Sequence, residues 1–254
     1  MTLLRYWLIL ACYLLSACGS SPAQERQQTN TKDAAKMNVQ LASGYMQRGQ
    51  LEIAKEKLEK AIEQDPKYAP GFATLAVLME IINEPDKAEG YYQDALDIDP
   101  HNPDLHNNYG QFLCKQNKLD KAFEHFDIAI KNQFYETPEK TYANLGYCLM
   151  LGDTPDYKKA EINLRKAIKI NPQMTQALLS MGELGIKTKQ YLMARAYMQR
   201  YHAIARKTAT SLWLQIQAEK ALGDKKYYVE LSRELLKTFP DSPEAELLME
   251  HVKK

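Results

Sequence analysis

From residue 35 onward, apolar and polar positions alternate with the period of an α-helix. In LEIAKEKLEKAIEQD, residues 51–65, the apolar Leu51, Ala54, Leu58 and Ala61 fall three or four residues apart, and Glu and Lys fill the gaps. This is the pattern of a helix with one buried stripe and one solvated face. It stops at Asp65-Pro66, where proline ends a helix and resets the chain. Glycine and proline are sparse, at 11 each in 254 residues, which suits long helices better than strands joined by turns.

The helical pattern repeats. Written in lines of 34, the chain aligns 35–68, 69–102 and 103–136. Alanine recurs at Ala54, Ala88 and Ala122, and again at Ala61, Ala95 and Ala129. Bulky residues recur at Leu41, Leu75 and Tyr109, and at Leu58, Tyr92 and Phe126; Pro66 and Pro100 close the first two units. A fourth unit, 137–174, keeps Leu145-Gly146, Ala160, Leu164, Ala167 and Pro172 around a longer inter-helix turn, LGDTPDY. A fifth, 175–208, keeps Met181-Gly182 and Ala194 but has Tyr201 and Arg206 where alanine and proline are expected. A sixth, 209–242, is degenerate, and 243–254 reads as a short terminal helix.

The small residue at Ala42, Ala76, Gly110, Gly146 or Gly182 lets the two helices of a unit approach closely. A lone helical pair cannot bury its apolar face, so such units stack. These spacings resemble the tetratricopeptide repeat. The resemblance implies an all-α, right-handed superhelical solenoid of about six repeats over 35–254.

The N-terminus reads differently. Arg5 is followed by nine apolar residues, Trp7–Leu15, too short to span a bilayer as a helix. With the small Ser16 and Ala17, residues 1–17 form a secretory signal peptide. Leu15-Ser16-Ala17-Cys18 resembles a bacterial lipobox, which implies a covalent lipid on Cys18, handling by the lipoprotein sorting machinery and a membrane anchor. In that class Gly19, in place of aspartate, implies the outer membrane. Residues 18–34 are polar, lack large apolar side chains and are expected to be a flexible tether.

Charge and chemistry add mainly exclusions. Lys and Arg total 33 against 32 Asp and Glu, so a net charge of +1 gives no reason to expect a nucleic-acid partner. The five histidines show no metal-ligand spacing, and no P-loop, dinucleotide fingerprint or nucleophile elbow is present. The repeats leave no room for a catalytic domain, so neither an enzyme nor a cofactor other than the lipid is expected. Cys114 and Cys148 stand at non-equivalent positions of adjacent units, and two packed free thiols are expected rather than a disulfide.

In the repeat family the first helix of each unit lines the concave wall. Two residues before the small position stand Gln40, Thr74, Asn108, Asn144 and Ser180, all able to hydrogen-bond. In peptide-binding members an asparagine here bonds the ligand backbone, a role Asn108 and Asn144 match; inter-repeat bonding or solvation is the alternative. Val39, Met46, Val77 and Ile81 fall at positions that normally face the groove, where apolar exposure marks binding. Their alternative is burial under the tether or against a neighbouring helix.

The mature chain as a whole resembles the type IV pilus biogenesis and stability lipoproteins, the pilotins of the PilF or PilW type. The carrying residues are the lipobox 15–18, QLASGYMQRGQLEIAKEKLEKAIEQDP at 40–66, LHNNYGQFLCKQNKLDKAFEHF at 105–126 and ANLGYC at 143–148. The resemblance implies a protein that escorts the type IV pilus secretin to the outer membrane and promotes its multimerisation. It implies a cargo contact on an apolar surface of the first repeats, here Val39, Met46, Val77 and Ile81. An adaptor for cell-wall hydrolases or for β-barrel assembly is the alternative within binding proteins.

Overall fold

The computed structural model describes residues 22–253, with side chains over residues 30–250. The signal peptide, Cys18 and Gly19 lie outside the described residues. Among the described residues there are thirteen α-helices and no strand. They are α1 (Pro22–Gln47), α2 (Leu51–Gln64), α3 (Ala69–Ile81), α4 (Pro85–Ile98), α5 (Pro103–Lys115), α6 (Leu119–Lys131), α7 (Pro138–Cys148), α8 (Tyr157–Ile170), α9 (Thr175–Lys187), α10 (Tyr191–Ile204), α11 (Ala209–Leu222), α12 (Lys225–Thr238) and α13 (Pro243–Lys253). They form the six helical pairs expected, plus the terminal helix, in an all-α tetratricopeptide-repeat fold. The chain divides into two compact bodies at Pro100/His101. The first holds units one and two, and the second holds units three to six with α13.

The units share their punctuation. Proline stands in the first two positions of α3, α4, α5 and α7, where its missing N–H has no helical partner to lose. Each short inter-helix turn contains a left-handed residue: Gly49, Asn83, Asn117, Lys189 or Gly223. The longer turn of unit four places Gly152 at φ +76°, and a Cβ there would also come 2.6 Å from Leu119 Cδ1. Both backbone conformation and space therefore require glycine at 152.

Close approach within a unit works by size complementarity. A Cβ on Gly110 would meet the Phe126 ring at 2.8 Å, and one on Gly146 would meet Leu164 at 2.7 Å. The small residue of the first helix is thus the seat of the large residue of the second. Unit six inverts the pair: Ile216 takes the small position and Ser232 the large one. Ile216 is buried with Leu212, Leu231, Leu235, Ala245 and Leu248, so α13 completes the core of this last pair. Tyr201 of unit five, which departs from the expected alanine, is buried as well.

Two expectations are corrected, the flexible tether and the free thiols. The region expected as a tether, 18–34, is helical from Pro22 onward. A helix seeded by the packed segment 35–47, where Ala35, Val39 and Ala42 are buried, extends N-terminally at little cost, because nucleation has already occurred. Leu41, aligned with the buried Leu75, is 45% exposed, because unit one has no preceding unit among the described residues to cover it. Cys114 and Cys148 form a disulfide, with Cα atoms 5.9 Å apart. Their non-equivalence is what permits it. The first helices of units three and four repeat at 36 residues, the cysteines at 34. Two residues turn a helix by about 200°, so the side chains of α5 and α7 face one another instead of pointing the same way.

Candidate protein-binding surface

In the first body the expected apolar contacts divide. Val39 is buried, 8% exposed, and its Cγ2 lies 3.9 Å from the position of a Cβ on Gly71 of α3. It is therefore packing between α1 and α3, the alternative reading, and is not offered to a ligand. Met46 and Val77 are half-buried and Ile81 is 52% exposed. Other exposed apolar side chains in this body include Met37 and Leu41, one turn apart on α1, and Ile82 beside Ile81; none of them was expected as a contact. A signal for the α1 pair existed in the sequence: the first unit of a stack has an uncovered outer face. Gln40 is exposed, whereas Thr74 donates its hydroxyl hydrogen to the Pro70 carbonyl at 2.7 Å.

In the second body the amide series is wired between repeats. Asn144 is buried; its Nδ2 donates to Asn107 Oδ1 at 3.0 Å, and its Oδ1 accepts from Gln176 Nε2 at 2.7 Å. Thr141 Oγ1 donates to the same Asn107 oxygen at 3.0 Å. Asn108 is half-buried, and its Oδ1 accepts from Asn107 Nδ2 at 3.2 Å. Asn107, absent from the sequence expectation, is thus the centre of the network; its signal was the doubled asparagine 107–108. Asn144 also lines a groove of about 220 Å³ with Gln111, Tyr147, Gln176, Ser180 and Glu183, drawn from three successive first helices. Gln111 Nε2 also approaches the Asn144 carbonyl, at 3.5 Å, so the groove's amides are bonded to one another, which is the inter-repeat alternative for Asn144.

Unit three also contains a histidine pair. His106 Nδ1 and His125 Nδ1 are 2.8 Å apart, with ring centroids at 5.1 Å. One ring must donate and the other accept, so both nitrogens cannot carry protons. Burial first, then the neighbouring His106 and Lys121, lowers the pKa of His125 to about 4. The unfolded chain, with an ordinary value of 6.5, binds this proton more readily. Stability is therefore intact above the unfolded value and is lost as pH falls through the window from 6.5 to about 4. Between pH 7 and 4.5 the urea midpoint of the wild type should fall further than that of His125→Gln; equal falls would show that the pair contributes nothing.

Comparison with known proteins gives a consistent picture. The tetratricopeptide repeat family pattern matches residues 35–68, 91–124 and 139–174. The type IV pilus assembly protein PilF of Pseudomonas aeruginosa is 31% identical over 232 residues, spanning 91% of each chain. The solved structure of Pseudomonas aeruginosa PilF superimposes with a TM-score of 0.74 at 29% identity, over 87% of this chain and 99% of that one. PilW, described as a widely conserved type IV pilus biogenesis factor, gives 0.76 at 28% identity, over 85% and 98%.

Proposed function

Because this chain belongs to the family of the type IV pilus assembly protein PilF, we propose that it is a lipid-anchored outer-membrane protein that binds the type IV pilus secretin and promotes its localisation and multimerisation. The observation that supports this reading is a likeness that covers 91% of both chains at 31% identity. A repeat scaffold supplies binding surface without catalytic groups, so the proposed role is non-enzymatic. Cys18 supplies the anchor and fixes the address. The uncovered Met37 and Leu41, with Ile81 and Ile82, supply apolar surface in the first two repeats for the cargo.

The test is fractionation of a deletion strain, following the secretin as detergent-resistant multimer or monomer. Multimers should be lost or retained in the inner membrane, and restored by the wild type but not by Cys18→Ala. Met37→Asp with Leu41→Asp should impair restoration while leaving the chain folded, since both side chains are exposed. Normal outer-membrane multimers in the deletion strain would overturn the proposal.

A further inference from the structure

In units five and six, the edge where each first helix turns into its second is basic. Lys187 and Lys189 flank the end of α9, Lys220 lies in the last turn of α11, and Lys225 and Lys226 open α12. All five are exposed. The nearby carboxylates are engaged: Glu183 with Lys187 at 3.5 Å, and Asp224 with Arg195 at 3.6 Å and with the Tyr227 N–H. The opposite end of the last units is mixed, with Arg206, Lys207 and Lys237 beside Asp241, Glu244 and Glu246.

Apolar and aromatic side chains are interleaved with these lysines. Leu192 is 67% exposed and Tyr227 50%. Their chain neighbours Tyr191 and Tyr228, with Trp213, line a half-open cavity of about 450 Å³ whose charged wall is Lys220. That shared cavity brings the end of α9 and the starts of α10 and α12 to one edge with the end of α11. Lysines reach anionic headgroups while amphipathic rings and leucine settle at the level of the glycerol backbone. Lysine is a point charge without the fork geometry that selects a defined carboxylate pair, and the one nearby guanidinium, Arg195, is committed to Glu219.

We propose that this edge docks on an anionic phospholipid surface. The lipid anchor proposed above would bring the chain within reach of such a leaflet; the docking itself needs no acyl group. Residues 19–254, which contain every described helix, would be sedimented without a lipid group with vesicles of phosphatidylethanolamine and phosphatidylglycerol, or of phosphatidylcholine. Binding is expected only to the anionic vesicles, with release at about 0.5 M salt. Lys189→Glu, Lys220→Glu and Lys226→Glu together should lower binding by at least about tenfold with unchanged helical circular dichroism. Leu192→Ser should weaken it without altering its salt dependence. Undiminished binding by the triple variant, or none by the wild type, overturns the proposal. Binding to soluble polyglutamate without vesicle binding also overturns it and reassigns the edge to an acidic protein. A wild type that fails to bind vesicles yet supports secretin assembly would sink the docking alone.

Discussion

Arg195→Ala is expected to destabilise the second body by about 3–5 kcal/mol, toward the lower end because the arginine is partly solvated. Glu219 of α11 is 1% exposed, and Arg195 of α10 holds it with two parallel hydrogen bonds, one of them Nε to Oε1 at 2.9 Å. The arginine side chain is 27% exposed, so the cation sits at the rim and the anion in the interior. Removing the cation strands a buried carboxylate, which costs more than the pair itself contributes. The sign of the double variant is therefore informative. Arg195→Leu with Glu219→Leu should recover most of the loss, because no buried unpaired charge remains; Asp224, which also loses the arginine, is partly solvated. Urea midpoints of the two variants check this; a double variant no more stable than Arg195→Ala would show that the interaction is net stabilising in its own right. The pair joins unit five to unit six, so its loss should act first on the C-terminal units.

Cys114→Ser with Cys148→Ser is the second large effect, at about 4 kcal/mol on the chain-entropy estimate for a loop of this size. The bond closes a 34-residue separation and ties the first helices of units three and four together beside the Asn107 network. Reductant should lower the denaturation midpoint of the wild type to near that of the double serine variant and leave the variant unmoved. A wild-type midpoint indifferent to reductant would mean that the bond constrains nothing the packing does not already hold. In a repeat protein each unit is stabilised mainly by its neighbours, so a cross-link between adjacent units raises the cost of opening at that interface.

The repeat register was readable because size complementarity must recur wherever two helices cross at the same distance. Gly110 and Phe126, or Gly146 and Leu164, satisfy that demand in the same way, so the spacing is visible in one dimension. Unit six reads as degenerate for a physical reason rather than for want of structure. Ile216 stands at the small position and Ser232 at the large one, which erases the motif, while Ile216 stays buried in the core that α13 completes. Val39 and Leu41 show the opposite limit. They share a helical stripe pattern with residues of later units, but their burial depends on what lies on either side of α1, and position in the stack is not a local property.

Sequence alone determined the lipobox expectation at Cys18, the helical pairs and the family, because each is carried by residues close in the chain or recurring at a constant interval. Tertiary structure alone decided which polar and sulfur atoms meet between units. Asn107 rather than Asn108 gathers the inter-repeat hydrogen bonds, and Cys114 reaches Cys148, because the relative rotation of neighbouring helices is set by their packed cores. That rotation places two equivalent positions side by side but turns non-equivalent ones face to face. A linear pattern records the first relation and is silent on the second.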